Sequence, residues 1–110
     1  MQRNMTLTSK QCVPCEGTVP ALTKQEIASL LQECAGWEIN AGKLHKEYQF
    51  KNYKETFAFV TKVAALAEQE GHHPDIWFTW GKAIIELYTH AIKGLSENDF
   101  ILAAKIKELQ

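Results

Sequence analysis

Apolar residues recur every three or four positions in three stretches of the chain and alternate with polar ones between them, which predicts helices separated by strands. Thr23 to Ala35 places Ile27, Leu30, Leu31 and Cys34 on one face. Thr23 with Glu26 three residues on has capping-box spacing, and Gly36 ends the element. Tyr53 to about Glu70 is the longest helix, capped by Asn52 and stopped by Gly71. Phe57, Val60, Ala64 and Ala67 form its main stripe, which Phe59, Val63 and Leu66 widen. So broad an arc implies cover on more than one side, a sheet on one and another helix or subunit on the other. The last helix opens at Ser96 and carries Phe100, Ala103, Ala104 and Lys107, with Ile101, Ile106 and Leu109 alongside. Asp99, its third residue, completes a variant of the capping box.

The alternating stretches read as two hairpins. Trp37–Ile39 and Leu44–Phe50 flank the turn-rich Asn40-Ala41-Gly42-Lys43, and Ile76–Trp80 and Ala83–His90 flank Gly81-Lys82. His45 falls on the polar side of its strand and reads as a solvated histidine, while His90 ends the last strand on its more polar face. The order is α-β-β-α-β-β-α. That predicts an α+β domain in which a four-stranded antiparallel sheet is covered on one face by three helices. Residues 1–20 contain Pro14, Gly17 and Pro20, show no sustained period and read as an irregular arm, leaving 21–110 as the domain.

Length and composition add exclusions more than assignments. The 110 residues suit one core, and the formal net charge of −1 leaves no electrostatic footprint for nucleic acid. No run approaches the ~20 apolar residues of a membrane span, and the polar start lacks the apolar run of a signal peptide. Three cysteines in a chain of this kind read as reduced thiols, so a cytoplasmic protein is expected. Cys12-Val13-Pro14-Cys15 has the spacing of half a zinc knuckle or a redox dithiol, but no second pair follows. Inert or weakly reactive thiols are the preferred reading.

The candidate chemistry sits where the long helix gives way to a strand, at Glu70-Gly71-His72-His73-Pro74-Asp75. Imidazole can give and take protons near neutrality. Pro74 biases His73 toward extended backbone, on which neighbouring side chains point in roughly opposite directions. The pair is therefore expected to serve separate jobs around a substrate and not to grip one metal ion. Glu68 and Glu70 lie at the helix end that disfavours negative charge, which fits either a use beside the histidines or a solvated surface. A metal hydrolase with three histidines is disfavoured by this divergence and by the lack of an HExxH-like pair. A protein-interaction module remains the alternative of a different class.

Three residues separate Glu68 from His72-His73-Pro74; five more intervene before Trp80, nine before His90 and eight before Asp99. Together with Gly94-Leu95-Ser96-Glu97-Asn98-Asp99, this set resembles the signature of the pterin-4a-carbinolamine dehydratases over about residues 23–109. The resemblance implies dehydration of a 4a-hydroxytetrahydropterin to quinonoid dihydropterin, in tetrahydrobiopterin recycling for aromatic amino acid hydroxylases, with no metal or organic cofactor. By similarity His72 and His90 would be the principal acid/base residues and His73 would bind or assist. Glu68 would tune the surroundings of His72, Trp80 would wall or stack on the pterin, and Asp99 would orient His90 or contact substrate. The resemblance also implies a homodimer or homotetramer. Eukaryotic members act as dimerisation cofactors of a homeodomain transcription factor; the cysteine-containing arm here looks like the bacterial branch, for which that role is not expected.

Overall fold

The structure, a computed structural model, describes residues 7–13 and 20–109. In chain order, α1 is Lys24–Leu31, β1 Glu38–Asn40, β2 Lys43–Gln49, α2 Tyr53–Glu70, β3 Asp75–Thr79, β4 Lys82–Leu87 and α3 Glu97–Lys107. Short 3-10 turns occupy Leu7–Ser9 and His90–Ile92. The strands form one antiparallel sheet in the order β1-β2-β4-β3. The expected α+β order is the observed one. Among the described residues no helix is long and apolar enough to cross a membrane.

Register explains the two faces of the sheet. Leu44 sits opposite Leu87, Lys46 opposite Ile85 and Tyr48 opposite Ala83, while Ile76 and Phe78 oppose Ile85 and Ala83 from the other side. Strand side chains alternate, so these positions turn toward the helices, and Leu44, Ile85 and Leu87 are wholly buried. His45, Glu86 and Asp75 share a cross-strand row on the opposite face. His45 is not the freely solvated residue expected, because its Nδ1 lies 2.8 Å from Glu86 Oε2. The β1–β2 connection is tighter than expected, with Ala41 and Gly42 both at positive φ (53° and 80°), as a two-residue primed turn requires.

Capping set the helix ends as the sequence implies. Thr23 and Glu26 form a reciprocal capping box, and the Asn52 side chain accepts from the Glu55 N–H. α1 is shorter than expected: it stops at Leu31, and the chain turns through Cys34 to Trp37, both of which are buried. In α2 the buried residues are Thr56, Phe59, Val63 and Ala67, so the core stripe is offset from the one expected. Tyr53 and Phe57 instead lie more than half exposed on the outer side.

α3 is enclosed over most of its circumference, Phe100 to Ala104 and Ile106 all being buried. Its inner side packs on α2, and its outer side is covered by the N-terminal 3-10 turn, whose Leu7 is 4% exposed. The N–H of Val13 donates to Asn98 Oδ1 and Asn98 Nδ2 returns a bond to the Val13 carbonyl. The described part of the arm is therefore a strap docked on α3. Pro14, Cys15, Gly17 and residues 1–6 lie outside the described residues.

Candidate active site

Gly71 ends α2 in the left-handed conformation (φ 70°), which a Cβ would disfavour. The Gly71 N–H reaches the Glu68 carbonyl and the His72 N–H reaches that of Ala67, the paired pattern of a Schellman stop. The chain then passes through His72, His73 and Pro74, outside any helix or strand, into β3. From the far side, β4 ends at Leu87, and Tyr88, Thr89 and His90 follow directly. A backbone bridge between Thr89 and Gly94 closes the short loop that carries His90. His90 thus opens a 3-10 turn instead of ending a strand, and it is exposed.

These two segments enclose an open cleft of about 310 Å³ lined by His72, His73, Tyr88, Thr89 and His90. That volume is at the lower end of small-molecule sites. A larger groove of about 750 Å³ between α1 and the start of α3 contains none of the histidines. Its titratable lining is Glu26 and Glu97, beside Leu22 and Leu30.

Each histidine has its own surroundings. His72 Nε2 lies 2.6 Å from Asp99 Oδ1, the imidazole 13% and the carboxylate 0% exposed. The other carboxylate oxygen, Oδ2, accepts from the Thr89 hydroxyl at 2.8 Å and from the Ser96 N–H at 2.9 Å. Acceptor-only oxygens in this arrangement draw the His72 proton onto Nε2 and leave Nδ1 as the nitrogen with a lone pair. His73 Nε2 lies 2.8 Å from Glu68 Oε1, but both side chains are largely solvated, so this pair contributes little to stability. The His90 ring packs edge-on against Tyr88 with centroids 5.1 Å apart, and Lys43 Nζ lies 5.7 Å from the centre of the Tyr88 ring.

Three expectations change. Asp99 partners His72, not His90, and being fully buried it reaches the cleft only through that imidazole. Glu68 partners His73, not His72. Trp80 is not brought to the histidines within one chain: it lies at the β3–β4 turn, where its carbonyl accepts from Thr56 near the start of α2. His72 follows the opposite end of that helix, roughly 20 Å away at 1.5 Å per residue. Tyr88, which sequence reasoning passed over as an ordinary strand residue, is the aromatic beside the histidines. Its one sequence signal was its place two residues before His90 on the same strand face.

Glu70 serves neither the histidines nor open solvent. It receives the Cys12 N–H at 3.0 Å and the Lys105 ammonium at 2.7 Å. Burial alone would raise its carboxyl, but these donors and the lysine charge outweigh that and hold it below the ordinary value. Burial, reinforced by Glu70, pushes the Cys12 thiol up to about 12, and burial pushes Cys34 to about 11, so neither supplies a thiolate near neutrality.

The family model of pterin 4 alpha carbinolamine dehydratase matches residues 20–109. The chain belongs to that family. A provisionally named pterin-4-alpha-carbinolamine dehydratase of Rickettsia bellii is 53% identical over 106 residues, 94% of each chain. One from Nitrosospira multiformis is 50% identical over 103 residues, 94% of this chain and 91% of that one. Among solved structures, a transcriptional coactivator/pterin dehydratase from Brucella melitensis superposes with a TM-score of 0.76 at 27% identity, covering 81% of this chain and 97% of that one. A pterin dehydratase-like protein identified as a RuBisCO assembly factor in the alpha-carboxysome matches with a TM-score of 0.55 at 30% identity, covering 66% of this chain and 84% of that one. Family membership supports a dehydratase activity.

Proposed function

We propose that the cleft dehydrates a 4a-hydroxytetrahydropterin by histidine acid/base catalysis. The observation that carries this reading is the convergence of His72, His73 and His90 from two distant segments on one small cleft. In the reaction the C4a–O bond breaks, the oxygen leaves as water after taking a proton, and N5 gives up its proton as the C4a–N5 double bond forms. Two groups of opposite protonation are needed. His72, with Nε2–H committed to Asp99, presents Nδ1 as the base for the N5 proton, and the adjacent carboxylate faces the positive charge that the ring then gains. His90, exposed at the cleft rim, is the acid for the departing hydroxyl. After turnover both return to their starting states by proton exchange with water.

His73 and Glu68 form a solvated pair suited to holding the polar pyrimidine edge of the pterin. Tyr88 takes the walling role expected of Trp80, since a flat heterocycle gains from an aromatic face beside it. Asp99 acts through His72. The catalytic unit is assigned to residues 21–110 and the arm to 1–20. Function in the cytoplasm, in recycling tetrahydropterin for an aromatic amino acid hydroxylase, fits this substrate class. Tyr53 and Phe57, exposed on α2, support a homo-oligomer formed through that helix.

Binding of a 7,8-dihydropterin, which lacks the leaving hydroxyl, tests the site without requiring turnover. Tyr88→Ala should weaken that binding by about tenfold. Equal binding by the wild type and Tyr88→Ala would remove Tyr88 from the site.

A further inference from the structure

We propose that Thr89 is a positioning residue that registers His72 against His90 by holding the carboxylate on which His72 rests; this rests on the dehydratase reading of the cleft. The Thr89 hydroxyl is buried between two oxygens, lying 2.8 Å from Asp99 Oδ2 and 2.8 Å from Ser96 Oγ. A hydroxyl has one proton to donate, and a carboxylate can only accept. The Thr89 proton therefore goes to Asp99, and Ser96 must donate to Thr89. The chain of bonds runs in one direction, from Ser96 O–H to Thr89 to the carboxylate, whose other oxygen holds His72 Nε2–H.

The backbone of the same residue carries the second histidine. Thr89 pairs with Gly94 in both directions, N–H to carbonyl at 3.0 Å and carbonyl to N–H at 3.4 Å, and His90 is the next residue in the closed loop. Thr89 is 4% exposed, so its side chain is fixed by this network and not by solvent. One residue thus anchors the carboxylate behind His72 and the loop that displays His90. Neither the spaced signature of acids, histidines and an aromatic nor the cleft's outline assigns it such a role.

Thr89→Val keeps the shape and removes the hydroxyl. The expected outcome is a fall in kcat of about tenfold, the scale of one charge-assisted hydrogen bond, with KM changed by less than about twofold. Thr89→Ser should restore kcat. Nitrogen-15 shifts of neutral His72 should show a protonated Nε2 and bare Nδ1 in both proteins, because Asp99 still accepts, with the Nε2 shift displaced in Thr89→Val as the carboxylate loses its anchor. If Thr89→Val does not fold, Ser96→Ala removes the donor to Thr89 while keeping the Ser96 N–H on Asp99, and should move the same shifts by a smaller amount. Wild-type His72 shifts in whichever of these variants folds would overturn the proposal. So would Thr89→Ser failing to restore what Thr89→Val loses. A wild-type chain without dehydratase turnover, but with the His72 Nε2 shift displaced in Thr89→Val and restored in Thr89→Ser, would remove the dehydratase reading and uphold the positioning role.

Discussion

His72 and Asp99 are 27 residues apart in sequence and joined by a 2.6 Å hydrogen bond in the fold. One sits just past the end of α2 and the other in the first turn of α3, so the packing of those two helices brings the acid behind the imidazole. Asp99→Asn keeps the volume but presents an amide where three donors point, the arrangement a carboxylate satisfies and an amide does not. We expect kcat to fall by about 10²-fold or more, with loss of roughly 1–3 kcal/mol of stability. Steady-state kinetics and urea unfolding on the same preparation read both. Wild-type kcat in Asp99→Asn would show that His72 works without this partner.

The exposed pair should behave differently. His73→Ala and Glu68→Ala are expected to raise KM by several-fold and leave kcat nearly unchanged, because their solvated contact lies at the cleft edge. A drop in kcat of His73→Ala equal to that of His72→Ala would place His73 in the proton transfers.

Glu70 predicts the acid limb of stability. Its carboxyl is held below the ordinary 4.5 when folded, so its contribution is full above that value and is lost as pH falls through the depressed folded value. Urea midpoints should therefore decline below about pH 4.5 in the wild type and decline less steeply in Glu70→Gln. Identical slopes would mean that the Lys105 and Cys12 contacts do not bias the carboxyl.

The strap gives a further test. Leu7 is buried and Val13 is doubly bonded to Asn98, so removing residues 1–13 should leave a folded, active domain of lower stability. Leu7→Ala alone is expected to cost about 2 kcal/mol, seen as a Tm lower by several degrees. An unchanged Tm would mean that the strap contributes nothing to folding.

Local chemistry in the sequence located much of this fold. Thr23, Asn52, Gly71 and the Asp99 cap act within a few residues of themselves, so their roles were legible without tertiary structure. Helix stop and proline likewise located the His72-His73 junction, although only His73 is displayed, His72 being 13% exposed against Asp99. Partner choice was not legible. That Asp99 meets His72, and Glu68 meets His73, depends on the angle between α2 and α3 and on which way each imidazole leaves the chain. The strap was missed because Leu7 is a lone apolar residue with no period around it. Trp80 adjoins the β3–β4 turn and Tyr88 follows the far end of β4, so the hairpin itself separates the aromatic at position 80 from His90.

The most direct test of histidine catalysis is the rate of 4a-hydroxytetrahydropterin dehydration by purified chain, with His72→Ala, His90→Ala and the double variant alongside. Each single change should reduce kcat by roughly 10²-fold or more, and the double variant should fall to the uncatalysed rate while remaining folded. Near-wild-type turnover in the double variant would contradict acid/base catalysis by these two histidines.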